Sequence, residues 1–313
     1  MRTLLLTAAL TLLTTAAAAP FKFVALGDMP YKLPDDYARF EALIGEVNRL
    51  QPAFTLHVGD IKSGSTPCSD ENFQKVKAQF GLFQGPLVYT PGDNEWTDCH
   101  REKAGKYDPL ERLAKVRELF FTGMGDRSFG QTPLTLTRQP ELPENSRWTY
   151  QNVVFGTVHV VGSNNGMERT NASVAEYFTR NAANVAWIKA TFAEAKANNA
   201  PAVVLGFQAD LFYGAPFLLT DPGLRDTLTT LAAEAKAYGK PVLLIQGDSH
   251  VLVIDRPLTE AGANTSAGQT LASPVLRHVT RLQVMGEAEV GAVEVTVDTD
   301  TPGVFGFRPV YSR

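Results

Sequence analysis

Four aspartates of this chain, Asp28, Asp60, Asp93 and Asp248, each follow a glycine, and each Gly-Asp pair closes a short apolar run: FKFVAL, FTLHV, PLVYTP and VLLIQ. A glycine at a strand's end lets the backbone turn sharply. The carboxylate after it then projects from the strand's carboxyl end, where open α/β sheets bind ligands. The last pair runs on to His250 as Gly-Asp-Ser-His, and Asn94 follows Asp93. Carboxylates, an imidazole and an amide gathered at one edge form a donor set for a metal ion. A single Gly-Asp marks only a turn. Four in register with strand-like runs point to a site.

The elements that must position these groups alternate. Apolar runs predict strands over 21–26, 54–58 and 86–90. Helical spacing predicts helices over 37–50, 71–80 and 109–121. That is a βαβαβ unit, so the sheet starts parallel. The polar stretch 123–146 reads as a surface excursion, a candidate lid. Two strands over 148–162 follow, with a turn near Asn152 or Gly156. A helix over 181–198, a buried strand over 202–207 and a helix over 220–238, with Asp221-Pro222 as cap and first turn, come next. Strands over 242–246 and 251–254 flank the last Gly-Asp. Those over 281–285, 292–297 and 305–310 have no helices between them. A parallel beginning and an antiparallel end predict an α/β fold of two packed mixed β-sheets flanked by helices.

The 313 residues, 44% of them hydrophobic and 20% charged, suffice for a sizeable core and argue against disorder. With a formal charge of −4 there is no basic excess to neutralise nucleic-acid phosphates. Arg2, the apolar run 4–13 and the small residues 16–19 read as a secretory signal cut near Ala19. This predicts an exported protein, periplasmic or secreted, with one domain over 20–313 and no membrane anchor after cleavage. Its only two cysteines, Cys68 and Cys99, each lie a few residues beyond a Gly-Asp pair. In an exported protein such a pair forms one bridge, which would tie two site loops together.

Asp28, Asp60, the Asp93-Asn94-Glu95 run and Asp248-Ser249-His250 resemble the motifs of the calcineurin-like metallophosphoesterase superfamily, in their order and at their sheet positions. The resemblance spans roughly residues 21–255 and looks like a divergent branch. It implies a four-layer αββα sandwich and a site that clamps a phosphoryl oxygen between two cations. Asp28, Asp60 and His250 would hold the first ion. Asp60 would bridge to a second, held by Asn94 or Asp93, Gln208 and Asp248. The chain departs from the family pattern at nearly every histidine. Pro30 stands at one ligand position, Gln208 at the mid-chain histidine and Asp248 at another. Oxygen donors in place of imidazoles favour Mn²⁺, Mg²⁺ or Ca²⁺ over Zn²⁺, with iron also open and one or two ions bound.

The implied activity is hydrolysis of phosphate mono- or diesters, with a small phosphorylated substrate. The alternative is a non-catalytic protein of the same scaffold that binds a phosphorylated or anionic ligand. The family's general-acid histidine is absent. Glu95 and His100 are the candidate acid–base groups, His100 being equally readable as a surface residue of the disulfide-held loop. Lys62 stands to contact a phosphate or to pair with a carboxylate. Tyr31 and Trp96 wall a pocket or belong to its rim and core. Ser163-Asn164-Asn165-Gly166 offers amides to an oxyanion or forms a plain turn. His57 and His159 lie in strands and read as structural. No Gly-x-Ser-x-Gly elbow, His-Glu-x-x-His or P-loop is present.

Overall fold

The computed structural model describes residues 19–213, 222–263 and 273–312. Residues 1–18 of the expected signal over 1–19 and the capping residue Asp221 lie outside them. Strand β1 (Phe21–Leu26), helix α1 (Asp35–Leu50), β2 (Thr55–His57), α2 (Asp70–Phe80) and β3 (Leu87–Tyr89) form the expected βαβαβ unit, and α3 (Pro109–Phe120) follows it. β1, β2 and β3 pair in parallel. The chain continues through β4 (Thr137–Arg138), β5 (Ser146–Tyr150), β6 (Val153–Thr157), α4 (Asn171–Ala197), β7 (Val203–Gly206), α5 (Arg225–Tyr238) and β8 (Val242–Gln246). It ends with β9 (Val253–Asp255), β10 (Leu258–Thr259), β11 (Gly262–Ala263), β12 (Val279–Gln283), β13 (Gly291–Val297) and β14 (Phe305–Tyr311).

Two mixed sheets result. The first has the order β14-β13-β1-β2-β3 and the second β4-β5-β6-β7-β8-β12-β9. Period-two alternation feeds both of their faces. Phe23 and Ala25 of β1 point between the sheets, where they meet Phe54, Phe155, Val204 and Ile245. Val24 and Leu26 point outward to Phe40, Leu43 and Val47 of α1. On the far side Val203 and Leu205 of β7 pack under Ile188 and Phe192 of α4 and Leu228 and Leu231 of α5. Helices therefore cover the outer face of each sheet.

Two local expectations change, and the turn left open between Asn152 and Gly156 falls at Asn152. α4 begins at Asn171, ten residues before the apolar pattern starts, because its first turns bury Ser173, Tyr177 and Arg180. Thr170 caps it by accepting from the Ser173 amide. The β5–β6 turn falls at Gln151 and Asn152, both left-handed, at φ 44° and 64°. That is the hairpin geometry asparagine favours. The 123–146 excursion is not a lid. It bridges to β3 at Leu87–Phe129, and none of its residues lines the cleft over Asp60, Asp93 and Asp248. Among the described residues no helix is long and apolar enough to cross a membrane.

Candidate metal centre

β1, β2 and β3 lie side by side, so the turns after them carry Asp28, Asp60 and Asp93 to one edge of the first sheet. β7 and β8 lie side by side in the second sheet and bring Gln208 and Asp248 to the matching edge. Three of the four aspartates, and His250, adopt left-handed backbone: φ is 54° at Asp28, 57° at Asp60, 73° at Asp248 and 60° at His250. Such a conformation is uncommon outside glycine and collects at functional sites. Bare glycine backbones let the turns interlock. A Cβ on Gly92 would lie 2.0 Å from Asp60 Oδ1, and one on Gly247 2.3 Å from Asp28 Oδ2.

Two trios of donor atoms result, Asp28 with Asp60 and His250, and Asp60 with Asp93 and Asp248, each with its atoms within 4.8 Å of one another. Asp60 belongs to both. All four carboxyls are held above their ordinary pKa. Burial is the first cause in each, and the neighbouring carboxylates add to it. Asp248 is pushed up to about 8. Crowded carboxylates of this kind are relieved by a cation. Asp28 Oδ2 is buried and has no hydrogen-bond donor, so it has a free lone pair for one. His250 Nε2 stands 3.6 Å from Asp28 Oδ1, and its Nδ1 lies 3.3 Å from Glu287 Oε2. A carboxylate on the far ring nitrogen is the usual orienter of a metal-binding histidine. Burial also lowers the His250 pKa, which favours the neutral, ligating imidazole.

No known sequence family and no curated protein matches the chain. Solved structures do. A purple acid phosphatase from yellow lupin (Lupinus luteus) seeds aligns at TM-score 0.54 and 12% identity over 94% of this chain and 54% of its own. A dimetal phosphatase from Danio rerio aligns at TM-score 0.50 and 10% identity over 94% and 99%. The fold is metallophosphoesterase-like. The anchor of the Plasmodium inner membrane complex aligns with the same fold, at TM-score 0.50 and 11% identity over 95% and 90%. The chain spans about half the length of the lupin protein.

On this metallophosphoesterase-like frame, Asp28, Asp60, Asp93, Asn94, Gln208, Asp248 and His250 converge. Asn94 donates its Nδ2 to Asp60 Oδ2 at 2.9 Å and to the Tyr31 hydroxyl at 2.8 Å. Tyr31 is part of the site and not merely its wall. Its hydroxyl donates to Asp60 Oδ2 at 2.9 Å and lies 3.1 Å from His250 Nε2. Gln208 presents its amide nitrogen to the carboxylates, while its oxygen accepts from the Gly162 amide at 2.6 Å.

Glu95 and His100 do not join them. Glu95 is fully buried beneath the floor and accepts from the Tyr89 hydroxyl at 2.9 Å and the Ile61 amide at 3.2 Å. Neither it nor His100 lines the cleft. His100 is exposed, with Nδ1 against the Thr97 carbonyl. Lys62 is buried, its pKa lowered to about 8 by burial and supported by Glu95, so it balances carboxylates and does not reach a ligand. Trp96 is core, and His57 and His159 are buried structural residues. The Ser163 hydroxyl lies 2.9 Å from both Asp93 Oδ2 and Asp98 Oδ1, and its single proton ties one of these carboxyls to the loop at a time.

The cleft above the trios measures about 620 Å³. Its far rim carries Arg101 and Lys103 on the turn after Cys99, which is bonded to Cys68. Both sulfurs pack near the Asn94 carbonyl, at 3.5 and 3.6 Å. Sequence reasoning passed over Glu287, Asp98 and Arg101. None lies in a Gly-Asp motif, and Glu287 is distant in sequence from the residue it orients.

Proposed function

We propose that this chain is a metal-dependent hydrolase of phosphate esters, mono- or diesters, working outside the cytoplasm as an exported protein. The observation that carries the reading is the pair of donor trios sharing Asp60 at the floor of an open cleft on this fold. A bound divalent ion would supply Lewis-acid polarisation of the phosphoryl group and activation of water. Asp28, Asp60 and His250 would hold it, and Glu287 would orient the imidazole. The oxygen-rich donor set favours Mn²⁺, Mg²⁺ or Ca²⁺ over Zn²⁺.

The substrate's negative charge needs a partner beyond the ions. Two divalent ions would only neutralise the four carboxylates, and one would leave the floor acidic. Arg101 meets this need. Its Nη2 is held by Asp98 Oδ2 at 2.7 Å, and its side chain stays 48% exposed toward the cleft. Gly64 keeps the way from it to the floor open, since a Cβ there would lie 2.6 Å from Arg101 Nη1 and 2.7 Å from Asn94 Oδ1. Glu95 and His100 lie outside the cleft, and Asp98, which lines it, is engaged as the carboxylate that anchors Arg101.

Hydrolysis of a nitrophenyl phosphate and a bis-nitrophenyl phosphate, in chelator and then with each divalent ion, tests the reading. Activity that needs the ion and disappears in Asp60→Asn supports it. Equal turnover by wild type and Asp60→Asn would trace it to a contaminant and refute it.

A further inference from the structure

The two trios differ in what already fills them. The second, of Asp60, Asp93 and Asp248, is occupied by a protein group. Gln208 Nε2 lies 3.2 Å from Asp60 Oδ2, 3.0 Å from Asp93 Oδ1 and 3.1 Å from Asp248 Oδ1, close to all three carboxylates at once. The Gly162 N–H sets which way the amide faces, donating to Oε1 at 2.6 Å; reversal would put Nε2 against that N–H and Oε1 against the carboxyl oxygens. The side chain has no room to leave. Gln208 is fully buried, its own amide and carbonyl are bonded to Val160 and Gly247, and its Cγ packs against the bare backbone of Gly92.

An ion bound by those carboxylates would need oxygens at about 2.0–2.6 Å, in the space the Gln208 nitrogen holds. The first trio also holds a protein group, the Tyr31 hydroxyl, 2.9 Å from Asp60 Oδ2 and 3.1 Å from His250 Nε2, but this group is an oxygen that can itself face a cation. Asp28 Oδ2 is buried without a donor, and His250 is oriented from behind by Glu287.

We propose that this chain binds a single divalent cation, at Asp28, Asp60 and His250, and that the Gln208 side-chain amide takes the place of the second ion of a dimetal site. Asp93 and Asp248 are then acceptors for that amide and not metal ligands. The N–H dipoles of Gln208 hold the two sheet edges together, as a second ion would. This inference rests on the metal-dependent reading above, but it concerns the number of ions and not turnover.

The test is metal stoichiometry, read without any substrate. Wild type, Gln208→His and Gln208→Glu would each be dialysed against Mn²⁺, and bound metal counted by elemental analysis. Electron paramagnetic resonance would then distinguish isolated from spin-coupled Mn²⁺. The expected result is one isolated ion in wild type and two coupled ions in at least one variant, where a donor atom replaces the N–H. Two coupled ions in wild type would overturn the inference and leave the metal-dependent reading intact. Folded variants that both stay at one ion would overturn the role given to Gln208. No bound Mn²⁺ in wild type would overturn the metal-dependent reading itself, and the inference with it.

Discussion

Asp60 is the residue on which both trios depend, and Asp28 carries the unpaired oxygen. In Asp60→Asn one shared carboxylate becomes a neutral amide. The rise in melting midpoint that a divalent ion produces in wild type, since it binds only the folded state, should vanish in the variant. Differential scanning fluorimetry with and without Mn²⁺ checks this. The same residues set a pH dependence. The Asp248 carboxyl is held at about 8 in the fold against an ordinary 3.8, so the folded state holds that proton more tightly than the unfolded chain. Its contribution is complete below about pH 4 and is lost as pH rises through about 8. Chelated protein should therefore melt at progressively lower temperature from about pH 5 to about pH 8. A saturating ion at Asp28, Asp60 and His250 should weaken or reverse the trend, because it displaces the protons that the raised Asp28 and Asp60 carboxyls hold. A chelated protein whose midpoint climbs across that range would contradict the assignment.

At the scale of elements, the disulfide and the turn it holds decide the shape of the cleft. Cys68 precedes α2, and Cys99 lies just before Arg101. Removing the bridge in a Cys68→Ser, Cys99→Ser variant should cost about 3.7 kcal/mol in the chain-entropy picture, measured by urea unfolding. It should also weaken Mn²⁺ binding, because both sulfurs pack against the Asn94 carbonyl. Arg101 acts from the same turn. Arg101→Gln should raise KM for bis-nitrophenyl phosphate about tenfold or more, the scale of a lost charged hydrogen bond, with Arg101→Lys in between. Lys106→Gln, which removes an equal charge from a surface pair with Glu102, should leave KM unchanged. The strands ending in Gly-Asp were legible because an apolar run and a sharp turn are local signals. The first ten residues of α4 were not. Their buried face includes Arg180, which is held by Asn165 and the His159 carbonyl, partners remote in sequence.

At the scale of the molecule, the site exists because two sheets pack so that their carboxyl edges meet. Between them Phe54 stacks on Phe23 at 5.1 Å and meets Phe155 edge-on at 4.9 Å. Phe54→Ala should destabilise the protein by about 3–5 kcal/mol in denaturant titration, the range for emptying a large core side chain. A loss below about 1 kcal/mol would mean that the space between the sheets closes over the cavity.

The sequence by itself determined the α/β class, the strand ends and the aspartates they carry, because periodicity and glycine turns act within a few residues. It also placed Gln208 and His250 at the same edge, through the motif order. Only the tertiary structure decided which atom of Gln208 faces the carboxylates, since that depends on the Gly162 amide from another strand's end. Only it removed Glu95 and His100 from the cleft and brought in Tyr31, Arg101 and Glu287. The direction of a side chain after a turn is set by what packs around it, and those neighbours come from both sheets.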